Sequence, residues 1–405
     1  MQKKIHFIWN MIGTVIASVL SAILLLIVVR INGTEEAGIF SISYATAIIL
    51  NAIGDFGLRI LEVTDIKRKY SFGEYLAARV TVVTFMIIFG CIFSAFSNYK
   101  IDKILELMFF VLFKVVDNLS ESYQAEFQLA DRLDLAGKTL IIRNICSIIV
   151  FLIIDIATKN TILSTFSLFA INLIVLIFTD MKWVKKINND KISFNKEKIV
   201  KIIKECLPVC ISTLLGLYLT NSVKYAIDAT GNNEMQTYFN VIYLPTFTIN
   251  LISICIMKPL LNTLAEKYES KDNKGLLKTI GKVILFIILV TIMIIAVCVT
   301  IGLPILMWMY GLELEQYRME LIILVISGGL YAIATLLFYT LSTMRKQKYT
   351  TYVYAVVSIF ACFITRYLVL EFQMFGVALG NIIINFVLVI LLSVILATQI
   401  DKSKK

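Results

Sequence analysis

The chain has 405 residues, 59% of them hydrophobic and 16% charged, where soluble domains hold roughly 45–50% and about 25%. A water-soluble globule is excluded, because apolar runs near the ~20 residues needed to cross about 30 Å of hydrocarbon recur along the whole length. The formal charge of +10 would suit a nucleic-acid binder, but the basic residues alternate with the apolar runs, so a bias towards one membrane face explains them and no nucleic-acid partner is expected.

Hydropathy predicts an all-α polytopic membrane protein with twelve transmembrane helices, near residues 7–29, 37–56, 75–96, 104–128, 139–157, 161–178, 205–225, 236–261, 283–309, 321–344, 351–370 and 375–398. The first run follows Lys3 and Lys4. It is longer than a secretory signal's apolar core and no small-residue cleavage site follows, so it reads as a retained span. Along it Gly13, Ala17 and Ser21 recur every four residues, which lets helix backbones approach closely.

Six spans fall in residues 1–181 and six in 205–405, joined by a basic linker at 182–204. Equal halves predict two six-helix lobes around a central cavity, as in transporters built from repeats. In the linker, Ile199, Val200, Ile202 and Ile203 alternate with Lys196, Lys198, Lys201 and Lys204. That pattern fits a short helix lying on anionic lipid or a solvated linker.

With the amino terminus inside, alternate loops carry 27 of the 38 lysines and arginines and the opposite loops carry 6. The expected topology therefore has both termini in the cytoplasm. The outer loops are only a few residues long, which leaves no outer domain for an active site.

Charged residues inside spans are costly and usually face water or one another. In the fourth span Lys114, Asp117, Glu121, Gln124 and Gln128 follow 3, 4, 3, 4 spacing, which puts all five on one helix face. Lys114 lies ten residues from the start of that span, ~15 Å in, near the midplane. Two readings stand: a cavity lining, or an internal Lys114–Asp117 ion pair. Arg79 and Arg143 lie about four residues inside their spans, where their heads would snorkel to water or join Arg59, Arg132 and Lys258 in a positive vestibule suited to a phosphate-bearing ligand. In the second half, Lys224 and Asp228 stand at i, i+4 near a span end, where interfacial snorkelling competes with a site.

Pro208, Pro245, Pro259 and Pro304 all fall in the second half. Each removes a helix hydrogen bond. Pro208 with Gly216, and Pro245 and Pro259, are the candidate hinge positions, against the alternative of static kinks. The seven cysteines lie within apolar runs and His6 is the one histidine, so buried thiols are expected and no metal site is.

Four stretches carry a family resemblance: Gly54-Asp-Phe-Gly-Leu-Arg59 with Glu62-Val-Thr-Asp65; Gln128-Leu-Ala-Asp-Arg-Leu-Asp134 leading into Gly137-Lys-Thr-Leu-Ile-Ile-Arg143; Lys224-Tyr-Ala-Ile-Asp228 with Tyr238-Phe-Asn and Leu244-Pro-Thr-Phe; and Gly328-Gly-Leu-Tyr-Ala332 running to Met344-Arg-Lys-Gln347. In order and position the set resembles the polysaccharide (O-antigen type) flippases of the MOP superfamily. Val223 departs from the proline expected before the Lys224 stretch.

The resemblance implies a polyprenyl-pyrophosphate-linked oligosaccharide as substrate, carried from the inner to the outer leaflet of a bacterial cytoplasmic membrane, with membrane lipids and other polysaccharide-assembly proteins as partners. On that reading Arg79, Arg143 and Lys114 draw the pyrophosphate, Asn118, Gln124 and Gln128 bond the glycan, and Arg59 and Lys224 also line the cavity. No cofactor is expected, and no Walker-type loop is present. A membrane potential or a coupled ion would bias the cycle, with Asp117, Glu121 and Asp228 as ion sites. The rivals are a multidrug-type exporter of the same superfamily, which would favour carboxylates and aromatics in its cavity, and a glycan polymerase or glycosyltransferase, which needs a water-accessible acid or base.

Overall fold

The computed structural model describes residues 2–403 apart from 66, 67 and 345, with the side chains of some further residues, chiefly within 254–263, left undescribed. In lipid every backbone N–H and C=O must be satisfied within the chain, and continuous apolar stretches meet that demand as helices. The order is α1 (Gln2–Asn32), α2 (Thr34–Asp55), a short α3 (Leu58–Thr64), α4 (Phe72–Phe96), α5 (Ile101–Leu129) and α6 (Leu133–Thr158). Then come α7 (Thr161–Val184), α8 (Lys196–Asp228), α9 (Asn233–Glu269), α10 (Asn273–Tyr310) and α11 (Arg318–Thr343).

The last stretch, Gln347–Ser403, is helical on both sides of Gln373, whose φ of 48° and ψ of −127° are not helical. A β-carbon on Gly376 would collide with the Leu368 carbonyl oxygen. In a straight helix residues eight apart are separated by ~12 Å, so the chain doubles back at Gln373 into two arms, α12 (347–372) and α13 (374–403). The twelve expected spans are thus twelve long helices among the described residues. Among the described residues nine helical stretches are apolar enough to cross a membrane by composition alone. α5, with its charged stripe, and α9 are not among them, and the α12–α13 hairpin counts once.

By internal packing the chain divides within α8, into 1–217 and 218–405. The expected linker at 182–204 is therefore not where packing divides. Only 185–195 is non-helical, and 196–204 form the first turns of α8. Their apolar face does not lie on lipid: Ile199 and Ile202 are buried against Leu58, Tyr70, Tyr75 and Val82. Polar contacts hold the same stretch to the first unit. Ser193 N donates to Gly73 O at 3.1 Å, Lys198 Nζ lies 2.6 Å from Glu74 Oε1, and Glu205 Oε1 accepts from Lys69 Nζ at 2.7 Å and Tyr70 Oη at 3.1 Å. In the same loop Asp65 accepts the Lys69 and Tyr70 amides and the Tyr75 hydroxyl. Burial alone would raise the Asp65 carboxyl, but these bonds hold it below its ordinary value.

Within the first unit α1 packs on α6 backbone to backbone, as the small-residue stripe predicts. A β-carbon on Gly13 would sit 2.7 Å from Gly137 O, and one on Gly137 would strike the Trp9 backbone. Pro208 lies inside α8, and Pro245 lies inside α9. Pro304 follows a π-helical turn at Cys298–Gly302, the local widening that accommodates a missing helix bond. Pro259 also falls in α9, where its side chain and that of Lys258 lie outside the described residues.

Candidate functional site

The polar stripe of α5 forms the axis of the first unit's charged cluster. Lys114 Nζ lies 2.9 Å from Asp117 Oδ2, and Arg143 of α6 brings a terminal nitrogen within 3.0 Å of Asp117 Oδ1. One carboxylate therefore serves two cations, and the buried Asp180 adds a second acid within electrostatic reach of Arg143. The Lys114 ammonium also lies over the rings of Phe113 (4.8 Å) and Tyr44 (5.6 Å), where aromatic faces stabilise it. The Lys114 and Asp117 side chains keep 13% and 29% of their exposure, while Arg143 is buried, with one terminal nitrogen lacking a hydrogen bond. The ion pair exists, and it opens on one side through Asp117.

Arg79 is placed by the Gly54-Asp-Phe-Gly turn. α2 ends at Asp55, and Phe56 (φ 51°) and Gly57 (φ 72°) turn the chain in the left-handed region, leaving the last carbonyls of the helix without intrahelical donors. Arg79 supplies them. One terminal nitrogen donates to Gly54 O (3.2 Å) and Asp55 O (3.0 Å), and Nε donates to Ser122 Oγ (3.2 Å). A β-carbon on Gly54 would lie 2.6 Å from Asn118 Nδ2, so glycine allows this close approach. Asp55 and Glu121 stand at 3.5 and 3.9 Å from the guanidinium.

Snorkelling fails for both arginines, since Arg79 and Arg143 are buried. For Arg79 the reason is local: helix-end carbonyls provide a stronger claim on a cation than distant water does. Arg59 donates to Gln124 Oε1 at 3.3 Å, and Gln124 Nε2 donates to Ser120 Oγ. Asn118 donates to Asn51 Oδ1 at 2.7 Å and to Lys114 O. Asn118 and Gln124 are buried and spent within the unit, while Gln128 is exposed at the end of α5. Arg132 is paired with Asp134 at 2.9 Å.

Sequence reading missed Glu62. It lies on α3 one turn beyond the buried Leu58, so its side chain turns inward with the apolar face. Glu62 is 1% exposed and neither carboxyl oxygen has a hydrogen bond. Burial pushes its carboxyl up to about 8, against the pull of Arg79 and Arg59 and with the push of Glu126 and Glu121. Its i+4 spacing from Leu58 is the signal that was available.

In the second unit, Lys224 has no hydrogen-bond or ion-pair partner among the described residues, and Asp228 does not pair with it. This unit also holds a neutral polar knot. Ser327 Oγ donates to Asn381 Oδ1 (2.6 Å), and Asn385 Nδ2 reaches both. The knot adjoins a niche of about 10 Å3 beside Thr220, Tyr243 and Tyr331, room for about one water or hydroxyl.

No family model matches the chain. It is 24% identical over 390 residues, 95% of its length and 97% of the relative's, to the capsular polysaccharide biosynthesis protein CapF of Staphylococcus aureus. Among solved structures, it resembles a multidrug resistance MATE family transporter of the MOP superfamily in an inward-facing conformation, with a TM-score of 0.70 and 13% identity over 95% of both chains. It also resembles the lipid II flippase MurJ in an inward closed conformation, with a TM-score of 0.72 and 14% identity over 94% of this chain and 86% of that one. These matches show the fold: an all-α, multi-pass membrane protein with twelve helices in two six-helix lobes.

Proposed function

We propose that the chain is a flippase that moves a polyprenyl-pyrophosphate-linked oligosaccharide from the inner to the outer leaflet of a bacterial cytoplasmic membrane by alternating access. The observation that carries this reading is the group of Lys114, Asp117 and Arg143, two cations on one partly exposed carboxylate, set inside the spans. An anion arriving there joins two hydrogen-bonding cations that share one carboxylate. In the second unit, Lys224 is a further cation with no acid paired to it among the described residues. The polysaccharide-biosynthesis name of CapF, which matches along 95% of this chain, and the flippase name of MurJ support the same direction.

The residues divide by role. Lys114 and Arg143 take the pyrophosphate, while Arg79 and Arg59 shape the first unit around them. Glu62 is the residue to carry a coupling proton, because Asp117 is held by two cations and Glu121 faces Arg79. α8 is fixed to the first unit over 196–206 and belongs to the second from Tyr218; Pro208 and Gly216 lie between, and bending there, with Pro245 and Pro259 as further hinge positions, accompanies the change of access.

The test is a proteoliposome assay with a lipid-linked glycan and an impermeant oxidant that reads its leaflet. Relocation without new glycosidic bonds is expected. Lengthened glycans would mean a polymerase, and transport of a lipophilic cation in place of the glycan would mean a drug exporter.

A further inference from the structure

An open trough of about 510 Å3 runs along α4 in the first unit, within the roughly 300–1,000 Å3 of pockets that hold small organic molecules. Its walls are Leu50 of α2 and Phe89, Ile92, Phe93 and Phe96 of α4, and it ends at the polar turn 97–99. The α4 residues follow i, i+3, i+4, i+7 spacing, so they form one face, and from first to last they cover about 10 Å of helix. Phe89, Ile92 and Phe96 are strongly exposed, Phe96 at 86%. The lining is apolar along the helix and polar at its end.

What lies at its end sets the head group. Phe93 packs edge-on against Tyr99 at 6.1 Å, and the Lys103 ammonium sits 3.7 Å over the same ring. Lys100 is exposed beside it. The aromatic wall therefore runs directly into a lysine pair, with Asp102 leaving one net positive charge. Six of the 38 lysines and arginines fall on the side that the charge bias assigns to the outside, and two of those six stand here. A bilayer phospholipid has two chains and one phosphate. One slot ending in two lysines fits a single-chain amphiphile with a more highly charged head.

We propose that this trough is the outer-leaflet seat of the polyprenyl chain, with Lys100 and Lys103 holding its phosphate as the carried lipid leaves. The proposal rests on the flippase reading and adds where the product departs.

The test uses the full chain in proteoliposomes with a polyprenyl phosphate bearing a photoreactive group in its chain, and maps the adducts. Saturable adducts concentrated at 89–99 are expected, displaced by unlabelled polyprenyl phosphate and not by excess phosphatidylglycerol. The K100Q/K103Q double variant, altered only at the trough's end, loses them by about fivefold. Equal displacement by phosphatidylglycerol would overturn the proposal, as ordinary lipid would then fill the slot. Saturable adducts only elsewhere would overturn the trough and leave the flippase reading standing. No saturable adduct anywhere would remove both.

Discussion

Arg143 reaches from α6 to within 3.0 Å of the Asp117 carboxylate on α5, so the two helices are joined at the point where Lys114 already holds the other oxygen. Replacing Asp117 with Asn leaves Lys114 without its ion pair and Arg143 with only the buried Asp180 in electrostatic reach. Uncompensated charge of this kind costs several kcal/mol when fully buried; with Asp117 partly open, D117N should lose of order 2 kcal/mol. Thermal unfolding of the purified protein in detergent should show a clear drop in Tm, and an unchanged Tm would mean that water, not Asp117, balances these cations.

The α1–α6 contact predicts opposite outcomes for two glycines. Gly137→Ala drives a methyl into the Trp9 backbone, where no flexible side chain can yield, and overpacking of this type costs roughly 1–3 kcal/mol. Gly281 in α10 has nothing within 4 Å of its added carbon, so G281A should be neutral or stabilising by up to about 1 kcal/mol. Membrane abundance and Tm of the pair check this directly.

Glu62 predicts a pH dependence. Its carboxyl is raised from 4.5 to about 8 in the fold, so the charged form is disfavoured there. Below 4.5 the acid is neutral in both folded and unfolded chain and no penalty exists. Between 4.5 and 8 the unfolded chain releases the proton and the fold does not, so stability falls; above 8 the penalty is constant. E62Q removes it, and its Tm advantage over the wild type should open across that window. Parallel Tm curves would remove Glu62 as a buried acid, and an unaltered pH profile of transport in E62Q would remove it as the coupling site.

Lys224 separates stability from function. With no partner to lose among the described residues, K224Q should unfold at the same temperature as the wild type or higher, since an unpaired cation in a span is itself costly, while relocation of the lipid-linked glycan slows. Loss of both would mark it as a structural residue.

Legibility in the sequence followed the range of the interaction. The α5 stripe and the Lys114–Asp117 contact lie within one helix at spacing 3, so periodicity exposed them. The turn between the last two spans was visible as a gap in hydropathy and appears as the reversal at Gln373. Arg143 joining Asp117, and Arg79 binding the α2 carbonyls, depend on partners 26 and 24 or more residues away, and a single helix seen alone predicts snorkelling for both. Asn118 and Gln124 looked like ligands because polar groups in a span attract that reading; their partners Asn51 and Arg59 lie on other helices. The amphipathic start of α8 showed which face was apolar and not what covered it.

The most direct test of the central claim is the initial rate at which K114Q relocates a polyprenyl-pyrophosphate-linked glycan, at equal folded protein. Asp117 keeps Arg143 in this variant, so the contact between α5 and α6 survives while the Lys114 ammonium is gone. A fall of about tenfold, the ~1.4 kcal/mol of one charge-assisted contact, is expected. A wild-type rate would contradict the claim that these intramembrane cations receive the substrate's anion.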